Sequence, residues 1–153
     1  MKIAIVGSEE KYWTPETRAI AVRRIRDILN SHALCYGDGN APEYNYEDLI
    51  MVSGACPKGG IDIWAEIVCD ILEIEKKIFP AGVEQWNDEL VAVDGGGFGN
   101  RKGYKSCNIE IATTCDIIYC IDRKDRKTSG GQWTMGYASK LGKKSTMITI
   151  WRK

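Results

Sequence analysis

The chain has 153 residues, and its 21 basic residues balance 21 acidic ones, leaving zero net charge at pH 7. Such a chain carries no global field to attract nucleic acid or an anionic membrane surface, which makes both unexpected as partners. With 44% hydrophobic and 27% charged residues, and no apolar run near the ~20 residues that span a bilayer, it reads as a single domain, 1–153, in the cytoplasm.

Residues 2–6, KIAIV, form a short β-branched run ended by Gly7, as expected of a strand buried on both faces. The apolar stretch is too short for a signal peptide. After "SEEKYWTP", Pro15 can open a helix at its first position. Ile20, Val22, Ile25, Ile28 and Leu29 then recur near a 3.6-residue period, and Asn30 and Ser31 end the helix. Residues 35–48, "CYGDGNAPEYNYED", are polar and rich in turn formers, so an inserted loop is expected.

"LIMVSG" is the second strand. The second helix runs from about Ile61 to Leu72, with an apolar stripe of Ile61, Trp64, Ala65, Val68, Ile71 and Leu72. "KKIFPA" is a third strand that stops at Pro80. Residues 82–106 have little periodicity and read as a long loop of the kind that forms lids and binding segments. Helical pattern resumes around Ser106–Thr114, and "CDIIYCID" is the fourth strand. A turn and helix follow, with Met135, Ala138 and Leu141 on one face, and then a last strand, "STMITIW".

Short apolar strands alternating with helices imply an α/β, three-layer, Rossmann-like doubly wound fold: a mostly parallel sheet with helices on both faces. Ligands of such sheets bind beyond the carboxyl ends of the strands. Gly7-Ser8-Glu9, Ser53–Gly60 and Thr128–Thr134 all follow strand ends and contain glycine. A bare turn before a helix lets an anion reach unpaired amides, although the same glycines can serve chain reversal alone. Neither a P-loop nor a strand-linked GxGxxG is present, and "GGGFGN" at 95–100 has no strand before it.

The cysteines at 35, 56, 69, 107, 115 and 120 include no CxxC pair, and the lone His32 has no helical partner. No metal site is therefore expected. Cysteines in contexts such as "EIVCDIL" suit small, reduced core residues; disulfides would need an oxidised interior.

Four stretches, in order and covering most of the chain, resemble the SLOG superfamily. "KIAIVGSEEKYW" resembles its first strand and Gly-Ser turn. "LIMVSGACPKGGIDIWAEIVCDILEIEKKIFPA" resembles its second motif, in which a strand leads through a small-residue turn to Gly-hydrophobic-Asp and then Ala-Glu. "GYKSCNIEIATTCDIIYCID" is similar to its Arg-Asn helix start and next strand, and "SGGQWTMGYASKLGKK" to its GGxxT turn and helix. The superfamily includes the DNA-processing protein A fold, molybdenum-carrier-like proteins, LOG-type phosphoribohydrolases and nucleotide-signal sensors.

The resemblance implies a site for a nucleotide or nucleotide-derived ligand, with no further cofactor. Phosphate would lie on Ser129, Gly130, Gly131, Gln132 and Thr134. Ser53, Gly54, Ala55 and Asp62 would line the other side, Gly7, Ser8 and Glu9 the base or ribose end, and Asn108 the third helix start. Asp62 would cap the second helix, or hold a ribose hydroxyl or a neighbouring loop. The resemblance also implies a homodimer or tetramer.

The hydrolases of the superfamily carry an acid three positions after the turn threonine, where this chain has Tyr137. The nucleophilic glutamate of related transferases corresponds to Met135, and the arginine before Asn108 to Cys107. Neither Met nor Tyr can stabilise an oxocarbenium-like centre, so the expectation is a binding protein, a sensor or a sink. A nucleotide hydrolase cleaving an N-glycosidic bond is the alternative, with Asp62, Glu66 and Glu110 as the acids available to it. Tyr12, Trp13 and Trp86 can stack a base, and Trp133 either narrows the turn or adds a stacking face. Arg101, Lys102 and Lys105 can close over an anion, and Arg123–Lys127 (RKDRK) is the one short basic run noted.

Overall fold

Five parallel strands form the central sheet in the order β5-β4-β1-β6-β7, in a computed structural model that describes residues 1–37, 39–82, 84, 86 and 103–151. The strands are β1 (Lys2–Gly7), β4 (Ile50–Ser53), β5 (Glu75–Ile78), β6 (Ile117–Arg123) and β7 (Lys144–Ile150). Helices α1 (Pro15–His32) and α2 (Ile61–Leu72) cover one face, and α3 (Tyr104–Thr114) and α4 (Gly130–Lys140) the other. This is the three-layer Rossmann-like arrangement expected from the alternation of strands and helices.

The pleat of β1 divides the interior in two. Ile3 and Ile5 face α1 and α2 and join Ile25, Leu29, Met51, Ile61 and Trp64. Ala4 and Val6 face α3 and α4 and meet Val52, Ile111, Ala112, Ile118, Cys120 and Ala138. The second interior is the smaller-residued, so α3 and α4 can lie close to the sheet. The β5 edge carries Glu75, Lys76 and Lys77, charges that discourage a further strand.

Local chemistry sets the helix starts. Thr14 accepts from the Thr17 amide while the Thr17 hydroxyl accepts from the Thr14 amide, a reciprocal cap, and Pro15 follows at the first helical position. Helix α1 runs on through Asn30 and Ser31 to His32, whose ring pairs with the Tyr119 hydroxyl.

Three expectations need correction. The polar stretch 35–48 is not a plain loop, because Leu34–Tyr36 (β2) pairs antiparallel with Glu43–Asn45 (β3). Ile71 and Leu141 are 66% and 47% exposed and leave the apolar stripes assigned to them. The third helix begins at Tyr104, so the end of the 82–106 stretch is helical. Residues 87–102, including Arg101 and Lys102, lie outside the described residues. No disulfide joins the six cysteines, all of them among the described residues; Cys69, Cys107, Cys115 and Cys120 are buried, whereas Cys35 is exposed on the hairpin. No helix among the described residues is long and apolar enough to cross a membrane.

Candidate functional site

The chain leaves β1 toward β4 and β5, then returns to place β6 and β7 on the other side of β1. That reversal parts the loops beyond β1 and β6 and leaves a crevice at their carboxyl ends. A cavity of about 300 Å³ occupies it. Gly7, Ser8, Glu9 and Tyr12 reach it from the turn after β1. Gly54, Cys56 and Lys58 come from the β4–α2 loop, and Asp62 from the first turn of α2. Tyr104, Cys107 and Asn108 come from α3, and Ser129, Gly130, Gly131 and Thr134 from the start of α4. Arg126 enters from the β6–α4 connection.

Ser53, Ala55, Gln132, Glu66 and Glu110 do not line this space. Ser53 is buried behind it and donates its hydroxyl to Glu66 at 2.8 Å. Ala55 takes a left-handed conformation, φ 49°, and donates its amide to the Ser53 hydroxyl. Gln132 acts one layer back, and Glu110 lies on α3 and is not among the lining residues.

A residue absent from the sequence-based site organises the end of the cavity beside α4. Asp122, at 0% exposure near the end of β6, accepts from the Ser8 amide at 3.2 Å on one oxygen. Its other oxygen accepts from the Ser129 hydroxyl at 2.7 Å and the Gln132 side-chain amide at 2.9 Å. The same Gln132 amide group donates to the Arg126 carbonyl, so the β6–α4 turn is closed on itself. Ser129 in turn caps α4 by accepting from the Gln132 amide at 3.0 Å. The amides of Gly130 and Gly131 have no acceptor among the described residues and carry the positive end of the helix dipole. The Thr134 hydroxyl is committed to the Gly130 carbonyl. An acid closing an otherwise apolar parallel strand was the available sequence signal for Asp122.

The glycines divide by role. A Cβ on Gly131 would overlap the Gly7 amide nitrogen, and one on Gly7 would overlap the Ile121 carbonyl, so both are bare because chain packs on chain. Gly130 is different: a Cβ there would meet only Asn108 Nδ2, at 3.9 Å. Its bareness leaves cavity space.

Asp62 is not the cap of α2. Gly60 holds that position, without a side-chain cap, and Asp62 is half-buried against the cavity. Burial, and after it the negative charge of Glu66, push its carboxyl up to about 7, opposed only by its own backbone amide. Burial likewise raises Glu66, against the Ser53 hydroxyl and Lys76. Because the folded value lies above the ordinary 3.8, Asp62 favours the fold fully in acid, and that contribution is lost as pH rises through about 7. Asp62→Asn is therefore expected to be more stable than the parent at pH 8 by about 2 kcal/mol, after allowance for solvent at a half-buried group. The gap closes toward pH 4 in paired urea titrations, on the order of the unfolded carboxyl value. A constant gap across that range would show that the carboxyl is not desolvated.

The basic run RKDRK is turned partly inward. Arg126 lays its guanidinium 3.6 Å from the Tyr12 ring centre and donates Nε to the Ser8 hydroxyl at 3.3 Å. Arg123 donates to the Tyr12 carbonyl at 3.0 Å. One face of Tyr12 is thus taken by Arg126. Trp13 does not reach the cavity; it donates to the Ser8 carbonyl and packs edge-on against Trp64. Trp86 does line it, half of its surface exposed, edge-on to Trp133 at 4.8 Å. Trp133 stacks on Tyr137 outside the lining, and Lys105 also lies outside it.

What these elements define is an α/β protein with a glycine-bearing crevice, mostly apolar in its lining with a few polar groups, at the topological switch of a parallel sheet. Comparison with protein-family models, curated proteins and solved structures gives no match. The resemblance to the SLOG superfamily therefore rests on the motifs alone.

Proposed function

We propose that the protein binds a nucleotide or nucleotide-derived small molecule, as a SLOG-type cytoplasmic sensor or sink. The supporting observation is the convergence of the Gly130 and Gly131 amides and Arg126 on one cavity of about 300 Å³. Amides at a helix start and a guanidinium are complementary to phosphate, and the volume sits at the small end of ligand sites. Ser8 and Asn108 add polar groups, and Trp86 an aromatic face.

Titration calorimetry against nucleoside mono- and diphosphates, cyclic nucleotides and ADP-ribose tests the reading. Absence of heat with every member at millimolar concentration ends it. A variant sharpens the test. Gly130→Ala should leave the melting temperature within about 2 °C, since the new methyl meets nothing closer than Asn108 and alanine favours a helix. The methyl occupies space at the free amides, and affinity is expected to fall at least about tenfold, the scale of one lost charge-assisted hydrogen bond.

A second reading has one observation in its favour. Asp62, with its raised carboxyl, and Glu9 both line the cavity, and an acid that is protonated near neutrality can serve a leaving group. Hydrolysis of the N-glycosidic bond of AMP would release adenine and ribose 5-phosphate. Intact AMP after prolonged incubation with stoichiometric protein removes this alternative.

A further inference from the structure

Tyr104 opens α3 at the cavity wall. Its hydroxyl oxygen is buried and has no hydrogen-bond partner among the described residues. Native interiors pair nearly all such atoms, and an orphan marks a place where something other than the chain completes the bond. Phenylalanine would fill the same volume without leaving a polar atom unpaired, so packing does not account for the hydroxyl.

The surroundings say which end of a ligand belongs there. Burial first, then the carboxylates of Glu84 and Glu9, together with the Cys56 thiol once it ionises in alkali, push the phenol above its ordinary value. The hydroxyl keeps its proton at neutral pH and donates. The Glu84 and Glu9 carboxylates repel a phosphate oxygen at this spot, while Arg126 and the start of α4 offer it a place elsewhere in the cavity.

We propose that Tyr104 is a ligand-contacting residue whose hydroxyl donates to an uncharged acceptor on the nucleoside part of the bound nucleotide, a sugar or base oxygen or a ring nitrogen. This rests on the nucleotide-binding reading and assigns the non-phosphate end of that site. A site built to hydrogen-bond one group of its ligand discriminates against analogues that lack it, so Tyr104 would be a specificity residue.

Tyr104→Phe separates a ligand contact from a structural one. Without nucleotide, the variant should melt about 2–4 °C higher than the parent, because a buried unpaired hydroxyl is gone. Affinity for AMP should fall about tenfold, the effect of one lost hydrogen bond with its donor buried. Ligand-observed NMR with adenosine, a format that reads millimolar binding, should show the same factor, since the contact is to the nucleoside. A lower melting temperature overturns the proposal by showing that the hydroxyl bonds the chain itself. Unchanged AMP affinity overturns it in favour of a bound water while leaving the nucleotide reading intact. A loss seen with AMP and absent with adenosine assigns the contact to phosphate and also overturns it. If the parent binds neither AMP nor adenosine, the inference falls; if it also binds nothing in the wider panel, the nucleotide reading falls too.

Discussion

Gly131→Ala is expected to lower the melting temperature by about 6–12 °C, from a loss of about 3 kcal/mol. The first turn of α4 lies directly on the end of β1. A methyl at residue 131 would overlap the Gly7 amide nitrogen and sit 2.7 Å from its Cα and 3.1 Å from its carbonyl oxygen. All three are backbone atoms, so no rotamer change relieves the overlap; α4 must move off the sheet. Its movement would also disturb the Ser129 and Gln132 bonds to Asp122. The neighbouring Gly130→Ala provides the control, because it adds the same methyl one residue earlier into open space. Calorimetric or circular-dichroism melts of the two variants should therefore diverge. A fall of under 2 °C, on the order of an ordinary surface substitution, for Gly131→Ala would mean that α4 does not dock on β1 as described.

The pair also shows what a sequence can and cannot disclose. "SGG" before a helix reads as an anion cradle, and both glycines look alike in that reading. The structure gives one to the fold and one to the cavity, a difference set by Gly7, more than a hundred residues away in sequence. Elements with strong periodicity were legible. The second helix spans Ile61–Leu72 as its apolar spacing indicates, and the short β-branched runs became parallel strands. The hairpin Leu34–Tyr36 with Glu43–Asn45 was not legible, because its strands are exposed on nearly every residue and show no alternation. Two face assignments were misread as well: Ile71 follows Ile67 by one turn on the exposed side of α2, and Leu141 is the C-cap residue just after α4.

At the site, sequence position identified the turns, because strand ends of a parallel sheet share one edge. It did not identify the side chains that fix those turns. Ser53 and Glu66 were grouped with ligand or catalytic groups, yet they bond each other behind the lining. Arg126 was one member of a basic run, and only its stacking on Tyr12 and its reach to Ser8 turn it toward the cavity. Spacing along the chain carries no information about such cross-element bonds.

Asp122 is where that missing information matters most, and Asp122→Ala is expected to destabilise the protein by about 3–4 kcal/mol. The substitution strips acceptors from the Ser8 amide, the Ser129 hydroxyl and the Gln132 side chain at once. Each is partly or wholly buried, and a buried donor left unpaired costs about 1–3 kcal/mol; relaxation and entering water reduce the sum. Asp122→Asn should recover little. Its carbonyl can still accept from Ser8, but its amide then faces the Gln132 amide, donor against donor. Turning the Gln132 group over would cure that clash only by removing its bond to the Arg126 carbonyl. Either variant loosens the β6–α4 turn that presents Arg126 and the first turn of α4, so under the proposed function nucleotide affinity should fall together with stability. In Asp122→Asn that loss should exceed the one in Gly130→Ala, although Asp122 is not itself one of the residues that line the cavity. Urea titration and calorimetry on the same samples measure both effects. Normal affinity in a destabilised Asp122→Asn protein would mean that the α4 end of the cavity holds its shape without this carboxylate.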